Sequence, residues 1–164
     1  MVRHDDRMGI SVDELVSYVE RAVDQMADIV GELGDDLANR RPALPGVNSP
    51  YAILRHCLGV MEFWGGQVIA GRAVERDRDA EFRATGSVAA LVQAAQQAKD
   101  AFRADAAAAD PGAPPRGTHP GKGADELERA SQGSALLHVL EEVTQHLGQM
   151  ELTRDVLRAP ASSS

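Results

Sequence analysis

The sequence predicts an all-α protein, a four-helix bundle, and three observations carry this prediction. The chain has 164 residues, which suffice for one domain with a proper core but not for two ordinary ones. Alanine, leucine and valine dominate an apolar share of 43%, and aromatic residues make up 4%, a balance that favours helix over sheet. Four segments repeat apolar residues at helical spacing. We therefore expect one domain over residues 1–164, with an ordered core at about 11–158 and a disordered tail at 159–164.

The first two helical segments carry clear start signals. The first covers about 11–33 and opens with a capping box, in which Ser11 is followed three residues later by Glu14. The proline-rich stretch DDLANRRPALPGVN cannot continue it. The second segment covers about 49–71, with Ser49 as its expected cap and Pro50 in its first turn. Both helices should therefore begin at these capping residues.

The second half of the chain continues the same pattern. A charged stretch, RAVERDRDAEFRATG, follows the second helix and contains Phe82 as an expected apolar anchor. The third predicted helix covers about 87–108 and the fourth about 134–157. Between them lies the longest connection, 110–133, and connections of this length in a compact domain are commonly mobile or functional. We assign no role to this connection, to His119 within it, or to His4 near the start.

Charge and cysteine usage exclude several classes of protein. The formal net charge is −8 and the arginines are spread along the chain, so we expect neither nucleic acid nor an anionic membrane surface as a partner. No apolar stretch approaches the roughly 20 residues that cross a bilayer, and the start, MVRHDDRMGISVDE, has no hydrophobic signal region. The single cysteine, Cys57, cannot form an internal disulfide and fits a reducing compartment. We therefore predict a cytoplasmic protein.

One column of polar residues interrupts the apolar stripe of the fourth helix. In LLHVLEEVTQHLGQM, His138, Glu142 and His146 recur every four residues, which places them one above the other on a helix face. The second helix carries His56 on its own apolar stripe. If these two helices are neighbours, His56, Glu142 and His146 bring two nitrogens and one oxygen together. Such a set suits a divalent first-row metal, zinc first, and leaves a coordination position open.

Other interpretations of the same residues stay open at this stage. An ion pair between His56 and Glu142 without a metal accounts for both equally well. Gln149 either orients His146 through a hydrogen bond, touches a substrate, or bonds the backbone at a helix interface. His138 is expected to be structural or to lie behind the ligands. Three further residues of the second helix carry predictions. Trp64 and Gln67 are candidates to line a substrate cavity, although core packing is the stronger interpretation for Trp64. Cys57 is expected to be a small buried hydrophobe.

These residues also resemble a known family. NSPYAILRHCLGVMEFWGGQVIAGR and LLHVLEEVTQHLGQMELTRDVL are similar to the second and fourth helices of the DinB-like (YfiT-like) superfamily of metal-binding four-helix bundles, and RDRDAEFRATG resembles a branch related to mycothiol-dependent enzymes. Many members of the superfamily bind metal through three histidines. Here His56 and His146 match two of them, and Glu142 replaces the third. A His, Glu, His set is that of the mycothiol-dependent maleylpyruvate isomerase, whose metal is zinc.

The resemblance implies a function. It points to a thiol transferase or isomerase that depends on a divalent metal, zinc before nickel, iron or manganese, and that uses mycothiol or a related low-molecular-weight thiol. The metal would activate the thiol for attack on an electrophilic substrate, and detoxification of electrophiles is the expected outcome. Two alternatives remain, a metal-dependent hydrolase with the same ligands and a non-catalytic metal-binding bundle. The protein is expected to be a monomer or a homodimer.

Overall fold

The computed structural model describes residues 9–117 and 131–160, and within these ranges the chain is helical and contains no strand. The helices are α1 (Val12–Ala38), α2 (Pro50–Met61), which continues directly into a π-helical segment (Glu62–Ile69), α3 (Arg78–Glu81), α4 (Val88–Ala107) and α5 (Gln132–Arg158). The all-α prediction is confirmed, and α1, α2, α4 and α5 are the four long helices. Of the predicted tail at 159–164, residues 161–164 lie outside the described residues, as do His4 and His119.

The predicted start signals lie where the sequence places them. Ser11 Oγ accepts a hydrogen bond from the Glu14 backbone N–H at 3.1 Å, and the Glu14 carboxylate accepts one from the Ser11 N–H at 2.9 Å. Ser49 Oγ accepts from the Ala52 N–H at 3.2 Å, and Pro50 opens α2. Both caps satisfy backbone donors that the first helical turn leaves unpaired.

The end of α1 differs from the prediction. Helical structure continues to Ala38 rather than ending near Leu33, with one interruption at Gly34, where φ is 66° and ψ is 175°. Glycine adopts this positive φ readily because it has no Cβ. The extra turn has a use beyond the helix: Asp35 Oδ1 accepts a hydrogen bond from the Val88 N–H at 2.7 Å, so the end of α1 caps the start of α4.

The core lies between the four long helices. α1 packs against α4 and α5, and α2 packs against α4 and α5. Buried apolar side chains from each long helix fill the space between them, including Val23, Leu54, Phe102 and Leu136. The contact between α2 and α5 is the one that the predicted metal site requires. No described helix is both long and apolar enough to cross a bilayer.

The second helix changes its winding where it approaches α4. The Ala70 N–H donates to the Gly65 carbonyl, five residues back, as in a π-helix. A Cβ at Gly65 would lie 2.8 Å from the Phe102 ring, so only glycine lets the two helices come this close. Beside this contact Arg72 forms an ion pair with the buried carboxylate of Asp105 on α4.

Candidate metal centre

Three potential metal ligands meet between α2 and α5. His56 extends from α2, and Glu142 and His146 extend from successive turns of α5. The Glu142 Oε2 atom lies 3.5 Å from His56 Nε2 and 3.6 Å from His146 Nε2. One donor atom from each residue lies within 4.8 Å of the other two, a spacing that a single cation can bridge. The fold thus brings together the set that helical spacing could place only in part.

His56 is the most confined member of this set. Its side chain is 1% exposed, and Phe82 stacks on its ring at a centroid distance of 4.3 Å. Within residues 9–117 and 131–160, His56 Nε2 has no hydrogen-bond partner. Buried polar atoms of native proteins are rarely left in this state, and a bound cation would satisfy this nitrogen. The donor chemistry, two imidazole nitrogens and a carboxylate oxygen, fits zinc and other divalent first-row metals.

The open side of the site lies along α5. The Glu142 side chain is 29% exposed and that of His146 is 21% exposed. Gln149 Oε1 lies 2.8 Å from His146 Nδ1, which is one of the three arrangements foreseen for this glutamine. The contact leaves His146 Nε2 as the ring atom that faces Glu142. A small molecule can therefore approach from the side of Glu142 and His146, whereas His56 closes the inner side.

Behind His56 the structure places two residues that the sequence did not identify. Glu81 Oε2 lies 2.9 Å from His56 Nδ1, and Arg76 holds the same carboxylate through Nε at 2.8 Å and Nη2 at 2.9 Å. Burial raises the pKa of Glu81, but hydrogen bonds from His56 and Arg76 outweigh burial and lower that pKa to about 2. The one signal in the sequence was Phe82, the apolar anchor of this charged stretch, which directly follows Glu81.

The other predicted residues lie in the same region with different contacts. Trp64 packs on the His138 ring at a centroid distance of 4.4 Å and meets Phe63 edge to face at 5.7 Å. Gln67 Oε1 accepts a hydrogen bond from the Val74 N–H at 3.3 Å. Both side chains are partly buried: Trp64 lies on the π-helical segment, and His138 lies on α5, one turn before Glu142. Contact of these side chains with a substrate stays a prediction.

Cys57 follows His56 in the chain but points elsewhere. Its side chain is fully buried in the core, as expected for a small hydrophobe. Burial raises the pKa of the Cys57 thiol, and the negative charges of Glu142 and Glu81 raise it further. A thiol in this state is a poor nucleophile, because the thiolate is the reactive form.

Comparison with known proteins assigns the chain to a family. A family model described as "Mycothiol-S-transferase" matches residues 14–159, which include α1 from its third residue, the other three long helices and all three candidate ligands. No curated protein and no solved structure matches the chain. The family agrees with the resemblance to mycothiol-dependent enzymes found in the sequence. Because the match covers nearly the whole chain, this protein belongs to the mycothiol S-transferase family.

Proposed function

We propose that the protein is a divalent-metal-dependent transferase that joins the sulfur of mycothiol, or of a related low-molecular-weight thiol, to an electrophilic substrate. One observation carries the proposal: the imidazoles of His56 and His146 and the carboxylate of Glu142 converge, and the buried Nε2 of His56 accepts or donates no hydrogen bond among the described residues. The family supplies the class of reaction and the class of thiol.

The three side chains would hold zinc, or in its place nickel, iron or manganese. His56 and His146 offer neutral nitrogens, and Glu142 contributes a negative charge that offsets part of the charge of the ion. When bound, the ion would supply the positive charge that lowers the pKa of a coordinated thiol, so that it reacts as a thiolate. Three protein ligands leave room for that thiol.

The residues around the ligands close one side of the site and leave the other side open. His56 and its stacked neighbour Phe82 close the inner side of the site, and the partly exposed Glu142 and His146 leave the outer side free for the thiol and its electrophile. The thiol proton leaves to solvent on this outer side. The sulfur lone pair then forms the new C–S bond. In a substitution the electron pair of the broken bond departs with the leaving group, and in an addition the π electron pair moves onto a substrate atom that takes up a proton from water.

The attacking sulfur belongs to the small-molecule thiol rather than to the protein. Cys57 is the only cysteine of the chain, and its fully buried thiol has a raised pKa. We further propose that Gln149 orients His146, and that His138, Trp64 and Gln67 contact the thiol or the electrophile. Disposal of reactive electrophiles in the cytoplasm is the cellular role that we infer from this chemistry.

Metal content tests the ligand set. Protein expressed with zinc should carry about one equivalent of metal per chain by elemental analysis, and His56→Ala and His146→Ala should lose most of it. Glu142→Gln should bind more weakly because the anionic ligand is gone. Glu141→Gln is the matched control, since Glu141 is the preceding residue and is exposed to solvent. Unchanged metal in both histidine variants would refute the assignment.

Activity tests the class of reaction. Purified zinc-loaded protein should accelerate conjugation of mycothiol to a fluorogenic electrophile, and the His146→Ala variant should not. Rates equal to those of the metal-free protein would remove the transferase proposal. Ester or amide hydrolysis without added thiol would favour the hydrolase alternative, and tight metal binding without either activity would favour a non-catalytic bundle.

A further inference from the structure

We propose that Glu81, held in place by Arg76, is a positioning residue for His56: it keeps the imidazole proton on Nδ1 and so directs the lone pair of Nε2 toward Glu142 and His146. This inference deepens the proposed function and rests on it, because its consequence is a preformed metal ligand. Glu81 and Arg76 lie on the Nδ1 side of His56, which faces away from Glu142, so neither would bind the metal.

The short contact between Glu81 and His56 determines the tautomer. An ionised carboxylate can only accept hydrogen bonds, so the 2.9 Å contact between Glu81 Oε2 and His56 Nδ1 requires a hydrogen on Nδ1. Arg76 Nη2 also lies 3.4 Å from Nδ1, but a guanidinium can only donate. Arg76 would therefore favour the opposite tautomer. The shorter and charge-assisted contact to Glu81 prevails.

Arg76 explains why a carboxylate is tolerated at this depth. The Glu81 side chain is 6% exposed, and a buried charge without a partner would be strongly unfavourable. The guanidinium grips both carboxylate oxygens, with Nε on Oε1 and Nη2 on Oε2. One oxygen of Glu81 thus serves Arg76 alone, and the other serves both Arg76 and His56. The pair forms a fixed acceptor behind the ring.

The surrounding backbone places the Glu81 carboxylate beside His56. Glu81 ends α3, a single turn whose start is capped by Asp77 Oδ1, which accepts from the Ala80 N–H at 2.9 Å. The next residue, Phe82, stacks on the His56 ring, so two consecutive residues hold the edge and the face of one imidazole. On α2, a Cβ at position 59 would collide with Glu81 Oε1, and Gly59 leaves that space free.

Partners of this kind have a known effect on metal sites. A carboxylate on the far nitrogen of a ligating histidine fixes the ring orientation and raises its basicity, and removing such a partner typically weakens metal binding by about 10–100-fold. The orientation of the ring matters most for His56, because its Nε2 is buried and has no hydrogen-bond partner among the described residues. We therefore expect Glu81 to influence affinity without binding the ion.

The first test reads the tautomer directly and needs no metal. In metal-free wild-type protein at pH 8, long-range ¹H–¹⁵N NMR of the histidine rings should show the His56 proton on Nδ1 and a bare Nε2, with the signal assigned by its loss in His56→Gln. A proton on Nε2 would overturn the proposal. In Glu81→Gln, which offers one acceptor oxygen to two donor groups, the Nε2–H form should become populated.

The second test measures zinc affinity by competition with a chromophoric chelator. Glu81→Gln and Arg76→Gln should each bind zinc at least tenfold more weakly than wild type, with unchanged helix content by circular dichroism. Asp79→Asn is the control, since it makes the same acid-to-amide change at an exposed position of α3 and should stay within twofold of wild type. Wild-type affinity in Glu81→Gln would contradict the inference.

The two tests separate this inference from the proposal on which it rests. Failure of wild-type protein to bind zinc would reject the metal site, whereas the tautomer of His56 is read in the metal-free protein and would still be decided. Conversely, zinc binding by wild type with a proton on Nε2 in the free protein would reject the positioning role of Glu81 alone.

Discussion

His56 and Cys57 show how sharply chemistry changes between adjacent positions of one helix. Successive helical residues point about 100° apart, so one side chain enters the polar cleft between α2 and α5 and the other enters the core. Both are almost completely buried. The imidazole is surrounded by charged and aromatic groups, whereas the thiol is excluded from solvent. Sequence proximity to the site is therefore no indication that Cys57 takes part in the reaction.

We predict that Cys57 is unreactive in the folded protein. Native protein should show far less than one equivalent of thiol by reaction with a disulfide reagent within minutes, and one equivalent after denaturation, because the reagent cannot reach a fully buried sulfur. Free cysteine at the same pH serves as the control for reagent activity. Rapid stoichiometric modification of native protein would show that the α2 packing opens more easily than its burial indicates.

Gln149 provides a second prediction at the scale of single residues. Its side-chain oxygen accepts from His146 Nδ1–H at 2.8 Å when His146 uses Nε2 as the ligand atom. Gln149→Ala should therefore weaken zinc binding by about tenfold, measured by chelator competition. Gln145→Ala is a suitable control, because Gln145 is exposed and bonds Glu141 instead. Equal affinity of both variants would show that Gln149 has no part in orienting the ring.

Helix α4 depends on α1 for its start. Ser87 precedes α4 without a side-chain cap of its own, and Asp35 accepts from the Val88 N–H in its place. Asp35→Ala should lower the free energy of unfolding by about 1 kcal/mol, as loss of a cap does, in urea or thermal unfolding. Asp36→Ala, one position along and exposed, should change it little. Equal effects would indicate that charge rather than capping is responsible.

Gln132 joins the two described ends of the connection between α4 and α5. Its side chain is buried, with Oε1 accepting from the Asp110 N–H at 3.0 Å and Nε2 donating to the Pro114 carbonyl at 2.9 Å. Gln132→Ala leaves both backbone groups without this partner, and we expect a loss of about 1–3 kcal/mol in unfolding free energy. Gln97→Ala, on the exposed face of α4, should be nearly neutral.

At the scale of the whole molecule, the bundle should not need its metal to fold. A continuous apolar core joins α1, α2, α4 and α5, and the three candidate ligands are not part of it. Metal-free protein should therefore keep its helix content by circular dichroism. Zinc at 100 times its dissociation constant should add about 2.7 kcal/mol, which raises the melting temperature by about 5–10 °C. His56→Ala should show no such zinc-dependent shift, and melting of wild type by chelation alone would instead indicate a structural metal.

The local features of this protein can be predicted from short stretches of its sequence. Apolar spacing predicted the four long helices, and the capping signals at Ser11 and Ser49 predicted where α1 and α2 begin. The column of Glu142, His146 and Gln149 could also be predicted, because residues three and four apart on a helix are always neighbours. Periodicity further placed His56 on the inward-facing stripe of α2. Each of these conclusions depends on geometry within a single helix.

Other features arise only when distant segments pack. His56 and Glu81 are 25 positions apart, and they have no fixed spatial relation until α3 packs on α2. The same holds for the end of α1 that caps α4, and for the π-helical winding that accompanies the close approach at Gly65. Within a helix, hydrogen bonds fix relative positions over one or two turns, but between helices the packing of the core sets them. The identity of the candidate ligands was thus a property of the sequence, whereas their convergence, and the carboxylate that supports His56 from behind, were decided by the tertiary structure.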